Sequence, residues 1–273
     1  MKTIVVATDF STSANQAAAF AVQLAQSQHA GVILVHAFHF WPVNPADTGV
    51  DAVIGSNAVR NVCQREIDHL AQDLTERFSP NVPIRTVVHE GYAMPVITEV
   101  AKAEKADLLV MATVGSAPQS AQLMGSVATV MVTETNVPLL LIPPGASYSA
   151  LENVVLGIDL TTPPDAVVLD TALRFARQFN CVVNLLCIHD QPADVQVRTH
   201  AEHIRSLMSH IPHTMTILPG EEIYESLLSF AHDNKADLIM MMPQKHNWFR
   251  KLFVESDTER MARLTDIPLL AVV

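Results

Sequence analysis

Cysteine, glycine, aromatic residues and basic side chains are all scarce in this chain, and each scarcity removes a class of protein. Three cysteines in 273 residues, Cys63, Cys181 and Cys187, are an odd number in aliphatic surroundings. That excludes a disulfide framework and a thiolate zinc cage and leaves them as reduced core residues. Aromatics at 5%, and 9 glycines against 16 prolines, fit a globular chain with a large aliphatic core, and no tract is polar or repetitive enough to stay unfolded. Lys and Arg number 17 against 28 Asp and Glu, a net charge of −11, which disfavours nonspecific contact with nucleic acid or anionic lipid. No apolar run approaches the ~18 residues of a membrane span, and Met1–Ala7 is too short and too lightly charged for a signal peptide. The chain is therefore expected to be cytoplasmic.

What is abundant is aliphatic sequence: 49% of the residues are hydrophobic. A domain usually takes roughly 100–200 residues, so two domains are expected. Self-similarity supports this. Thr3-Ile-Val-Val-Ala-Thr-Asp9 is answered by Asn153-Val-Val-Leu-Gly-Ile-Asp159, and Val32–His36 by Val182–Cys187. Lys105-Ala-Asp-Leu-Leu-Val-Met111 returns as Lys235-Ala-Asp-Leu-Ile-Met-Met241, and Asn136-Val-Pro-Leu-Leu-Leu-Ile142 as Asp266-Ile-Pro-Leu-Leu-Ala-Val272. Matches in one order along the chain mark a duplication with a shorter middle in the second copy.

Within each copy the apolar runs are short and continuous, as in strands buried on both faces. Between them, Ala14–Gln28, Val96–Glu104, Val167–Phe179 and Ser226–Asn234 carry apolar residues at helical spacing. Strand alternating with helix predicts an α/β fold of two tandem doubly wound, Rossmann-like domains, each with a five-stranded parallel sheet. Pro143-Pro144 ends the fifth strand and Gly145–Tyr148 is the linker. The predicted domains are 1–146 and 150–273, with the boundary near residue 148.

In open parallel sheets, ligands sit beyond the carboxyl ends of the strands. In the first copy these ends are Asp9, His36-Ala37, Glu90-Gly91 and the stretch 112–127. That stretch runs Ala112-Thr-Val-Gly115, then nine residues to Gly125-Ser126, then the helical pattern Val127–Thr135. Glycines admit a close backbone approach, and a helix N-terminus offers free N–H groups and a positive dipole end. Such a loop is equally a turn with an N-cap.

Ala112-x2-Gly115-x9-Gly125-Ser126, preceded by Ala-Asp-Leu-Leu-Val-Met and followed by Asn-Val-Pro-Leu-Leu-Leu-Ile, resembles the Gly-x2-Gly-x9-Gly-Ser/Thr motif of the universal stress protein family. With Asp9 after the first strand, the resemblance covers nearly the whole chain twice and implies a tandem member. In the nucleotide-binding branch the motif holds ribose and phosphates, which the resemblance places on Ala112, Gly115, Gly125, Ser126 and Val127. It places Thr8 and Asp9 at the nucleoside and the backbone of Ala37 at adenine. ATP or AMP is the implied ligand, with or without Mg²⁺, in a stress-response binding protein rather than an enzyme. Family members dimerise through the last strand of the domain, so the duplication resembles a dimer fused into one chain. Val137–Ile142 and Ile267–Val273 are its edges, and either a monomer or a homodimer of fused pairs follows.

Two residue-level features bear on that reading. Ala112 replaces the first glycine, and if positive φ is needed there a Cβ costs on the order of 1 kcal/mol. From Thr113 to Asn136 there is no Lys or Arg, and Glu134 is the sole charge. The alternative is a tandem scaffold that binds a protein partner or a small apolar ligand instead of nucleotide.

The second copy carries Met242, Lys245 and Glu255 at the glycine positions and keeps Ser256. Ser256-Asp-Thr-Glu259 is a capping box that would satisfy the helix start from within, and Asp159 is expected to be a turn residue. His246–Phe253 interleaves aromatic and basic residues and is either a docking surface or a cover over the core. His200, His203, His210 and His213 have the spacing of a helical metal pair but lack a clear acidic or thiolate partner. Neither Gly-x-Ser-x-Gly nor a Walker loop occurs, so no dedicated enzyme is legible, and slow ATP hydrolysis would need Asp9 to help hold a metal.

Overall fold

A computed structural model describes residues 1–41, 50–78, 80–116, 126–220, 223–242 and 265–273. The chain divides into two compact units, Met1–Tyr148 and Ser149–Val273.

In the first unit the strands are β1 (Thr3–Ala7), β2 (Gly31–Phe38), β3 (Ile84–Glu90), β4 (Leu108–Ala112) and β5 (Leu139–Ile142). They pair in parallel in the order β3-β2-β1-β4-β5. Ile4, Val5, Val6 and Leu108 to Val110 are fully buried, as continuous apolar runs require in a sheet covered on both faces. The helices are α1 (Thr12–Gln28), α2 (Val50–Arg77), α3 (Ala93–Ala103) and α4 (Ser126–Glu134). Ser11 caps α1 by accepting from the Ala14 N–H at 3.2 Å, and His29 ends it in the left-handed region at φ 53°.

The second unit repeats the plan with β6 (Asn153–Gly157), β7 (Val182–Ile188), β8 (His213–Leu218), β9 (Leu238–Met241) and β10 (Leu269–Ala271). These strands are parallel in the order β8-β7-β6-β9-β10. Its described helices are α5 (Ala166–Phe179), α6 (Val195–Leu207) and α7 (Ile223–Asp233). Asp165 caps α5 through the Val167 and Val168 N–H groups, and Asn180 closes it at φ 52°. The shorter middle of this copy is visible as 13 residues of α6 against 28 of α2.

The repeated Lys-Ala-Asp has a structural cause. Lys105 and Lys235 take φ of 51° and 49°, stopping α3 and α7, and the next N–H groups, of Ala106 and Ala236, return to the carbonyls of Ala101 and Ala231 at 2.9 Å. The aspartate then closes the sheet start. Asp107 Oδ2 accepts from the N–H groups of Lys2 (2.6 Å) and Thr3 (3.0 Å), and Asp237 Oδ2 from those of Glu152 (3.0 Å) and Asn153 (2.9 Å). A carboxylate taking two strand-start donors satisfies groups that no ladder bond reaches.

The three cysteines are free thiols. Cys181 and Cys187 are buried, and burial, with small additions from Asp237 and Asp159 respectively, pushes each thiol up to about 11. Cys63 departs from the core expectation: it lies on α2 and is only half-buried.

Candidate functional site

The carboxyl ends of β1, β2 and β4 bring Thr8, Asp9, Ala37 and Ala112 to one end of the first sheet. Thr8 is 6% exposed. Its N–H donates to the Val35 carbonyl at 2.9 Å, its carbonyl accepts from His36 Nδ1 at 2.8 Å, and its hydroxyl oxygen accepts from the Phe10 N–H at 3.1 Å. Phe10 takes φ of 63° and lies over the His36 ring with centroids 4.3 Å apart. A left-handed phenylalanine is strained by roughly 1–2 kcal/mol, and the Thr8 bond and ring contact hold it there.

Asp9 connects this end of the sheet to the loop after β4. Oδ1 accepts from the Ser11 N–H at 3.1 Å and Oδ2 from the Ser116 N–H at 2.6 Å. Burial raises its pKa, but the hydrogen bonds from Ser11 and Ser116 outweigh that and lower it below the ordinary carboxylate value. Gly115 stands against the same oxygen: a Cβ built there would lie 2.8 Å from Asp9 Oδ2. Ala112 shows no positive φ and pairs in register with Ile142 at the end of β4, so the conformational cost conditional on a left-handed backbone does not arise. Thr113, 3% exposed, has a buried Oγ1 without a hydrogen-bond partner among the described residues. Gly125 falls outside the described residues. Ser126 opens α4 and Val127 follows it, half-buried.

Sequence reasoning missed Thr113, Ser116 and the Phe10–His36 pair. Thr113 and Ser116 were legible only as neighbours of Gly115, and a left-handed phenylalanine leaves no composition signal. His36 meets a backbone carbonyl, as expected of a histidine at that strand end. His89 Nδ1 donates to the Glu90 carbonyl at 2.9 Å, while His39 stacks on Tyr92 and meets Trp41 edge-on, at centroid distances of 4.8 and 4.7 Å.

In the second unit Asp159 takes the Thr161 N–H and hydroxyl on Oδ1 at 2.8 and 2.7 Å, the geometry of a turn residue. Met242 is buried behind β9. Lys245, Glu255, Ser256, Asp257, Glu259 and the His246–Phe253 stretch lie outside the described residues. His200 Nδ1 donates to the Leu160 carbonyl and His213 Nδ1 to the Ile211 carbonyl, both at 2.8 Å. Among the described residues no group of three or more His, Cys, Asp and Glu is placed to hold a metal ion. Nor is any described helix long and apolar enough to cross a membrane.

Two doubly wound units, the first with Asp9 joined to the start of the loop after β4, define a duplicated α/β protein of the Rossmann-like class. Comparison with known sequences places it further. The profile of the universal stress protein family matches residues 1–143 and again 150–273, and the chain belongs to that family as a tandem member. No curated protein matches it. A universal stress protein of Archaeoglobus fulgidus is 12% identical and superposes with a TM-score of 0.71, covering 98% of this chain and 95% of its own. A functionally unknown protein of Pseudomonas aeruginosa is 11% identical with a TM-score of 0.63, covering 100% and 92%. A universal stress protein solved in complex with cAMP is 25% identical over 51% of this chain and 94% of its own, with a TM-score of 0.37.

Proposed function

We propose that the first unit binds an adenine nucleotide, ATP or AMP, beyond the ends of β1, β2 and β4, and acts as a stress-response binding protein rather than an enzyme. The observation that carries this is the convergence of Asp9, Gly115 and Ser116 into one closed loop start. It lies where open parallel sheets bind ligands, and α4 begins ten residues on, at Ser126. The residues fit the group. Thr113 Oγ1 supplies a buried hydroxyl unpartnered among the described residues, the α4 N-terminus offers backbone N–H groups for phosphate, and Thr8, Asp9 and the Ala37 backbone would flank the nucleoside. Gly125, Ser126 and Val127 would approach the phosphates, with Ala112 and Gly115 beneath the ribose. Without Lys or Arg between Thr113 and Asn136, phosphate affinity rests on backbone N–H groups and hydroxyls and is modest.

Thermal melting with and without millimolar ATP and Mg²⁺ tests this, because a ligand that binds only the folded state raises the melting temperature. A rise that Gly125→Asp abolishes supports the reading, and no rise in the folded wild type overturns it.

A second reading, of a protein-binding scaffold, is favoured by the ring cluster of His39, Trp41 and Tyr92. Trp41 and Tyr92 are 68% and 64% exposed, an unusual display of aromatic surface on a chain with few aromatics. It predicts binding that persists when Gly125→Asp is introduced and fails when Trp41 and Tyr92 are truncated.

A further inference from the structure

The second unit holds a pocket of about 130 Å³ at the carboxyl ends of β6 and β7. Its apolar walls are Ile158, Leu186, Ile188 and Leu227, and Asp159 and Thr161 supply polar side-chain atoms. Among the described residues no Lys, Arg or His lines it, so none of these side chains favours an anion, and the nucleotide chemistry proposed for the first unit is not carried over to it.

Matching strand registers across the duplication explains its character. Ala7 pairs with Val35 in the first unit and Gly157 with Leu186 in the second, so Gly157 stands for Ala7 and, two residues on, Ile188 stands for Ala37. The second unit has thus lost a methyl group at the β6 end and gained hydrocarbon at the β7 end. The absent methyl keeps the space open. A Cβ on Gly157 would come within 3.3 Å of Leu227 Cδ2, tight enough to push that wall.

The two aspartates differ as well. Asp9 accepts on both oxygens, from Ser11 on one and Ser116 on the other. Both Thr161 bonds to Asp159 fall on Oδ1, so among the described residues Oδ2 keeps its lone pairs for another donor. A carboxylate beside a small hydrocarbon-walled pocket selects a compact hydrocarbon body carrying a hydrogen-bonding cation.

We propose that this pocket binds a small aliphatic ammonium ion, its nitrogen on Asp159 and its hydrocarbon against Leu186, Ile188 and Leu227. The volume suits about six non-hydrogen atoms, since benzene occupies a cavity of roughly 150 Å³ lined by similar side chains. This site is separate from the nucleotide reading and stands or falls without it.

The test is a titration of the full chain, labelled at Ile and Leu methyl groups, with isopentylammonium chloride at pH 7 and, in parallel, with the uncharged 3-methylbutan-1-ol. The expected result is saturable shifts at Ile158, Leu186, Ile188 and Leu227, with an amine Kd on the order of 1 mM. The alcohol should bind about tenfold more weakly, because its hydroxyl can donate to the carboxylate but brings no positive charge to it. Asp159→Asn should erase the preference for the amine over the alcohol, and Gly157→Ala should weaken both. Shifts that do not saturate or that spread away from these four residues overturn the proposal, and so does equal affinity for amine and alcohol in the wild type. The amine-to-alcohol ratio in the unmodified protein decides the matter even if a variant fails to fold.

Discussion

The carboxylate of Asp9 and the backbone N–H of Ser116 are joined by a 2.6 Å hydrogen bond across 107 residues of sequence. Gly115 is small because that carboxylate is there: the oxygen lies 2.8 Å from the place a Cβ would occupy. Gly115→Ala should therefore cost about 1–2 kcal/mol, the usual scale for an overpacked contact. The cost should shrink when Asp9→Ala is combined with it, because the clashing oxygen is gone. A double-mutant cycle by urea denaturation measures this coupling, and strictly additive effects would contradict the geometry.

Asp9 should also confer a pH dependence. Its folded pKa is depressed, through the Ser11 and Ser116 hydrogen bonds acting against burial. Its stabilisation is therefore fully present above the unfolded carboxylate value of about 3.9 and is lost as pH falls through the lower folded value. The melting-temperature gap between wild type and Asp9→Asn should be level from pH 7 to about pH 5 and close progressively below about pH 4. A gap that widens on acidification would refute the assignment.

The aspartates of the repeated Lys-Ala-Asp should matter for stability in both halves. Each accepts two backbone N–H groups at the start of a strand. Asp107→Ala and Asp237→Ala are each expected to destabilise by about 1–2 kcal/mol, the cost of leaving such donors to water or unmet. Chemical denaturation should show a lower midpoint for each.

Thiol chemistry should follow burial. With Cys181 and Cys187 pushed up to about 11, their thiolate fraction at pH 8 is on the order of 0.1%. Burial also raises the Cys63 thiol, though it is only half-buried. Iodoacetamide at pH 8 should therefore alkylate Cys63 first and slowly in the folded protein, and all three quickly in denaturant, as mass spectrometry would report.

The linker should tighten or loosen with Gln16. Its Nε2 donates to the Ala146 carbonyl at 2.8 Å and its Oε1 accepts from the Gly145 N–H at 3.1 Å. Gln16→Ala removes both bonds, and limited proteolysis should then cut within Gly145–Tyr148 several-fold faster than in wild type.

Much of the architecture was legible because it is local or repeated. The Thr3–Ala7 and Asn153–Gly157 strands declare themselves by unbroken apolar runs, and α1 and α5 by the apolar spacing of Ala14–Gln28 and Val167–Phe179, while their caps, Ser11 and Asp165, came only with the structure. The 28-residue α2 escaped the sequence reading because its overall composition is polar. Its buried stripe of Ile67, Leu70 and Leu74 does carry helical spacing and was a usable signal.

The candidate site divides along the same line. The glycines and serine of the loop after β4 and the aspartate after β1 are marked by motif and spacing, which depend on chain order alone. Three things were not. That Gly115 answers to Asp9, that the Thr113 hydroxyl is buried with no partner among the described residues, and that Gly157 with Ile188 opens a pocket in the second unit are facts about atoms distant in sequence. Periodicity reports which face of a strand is buried. Only the packed sheet, by fixing register and bringing strand ends together, decides which carboxylate meets which N–H.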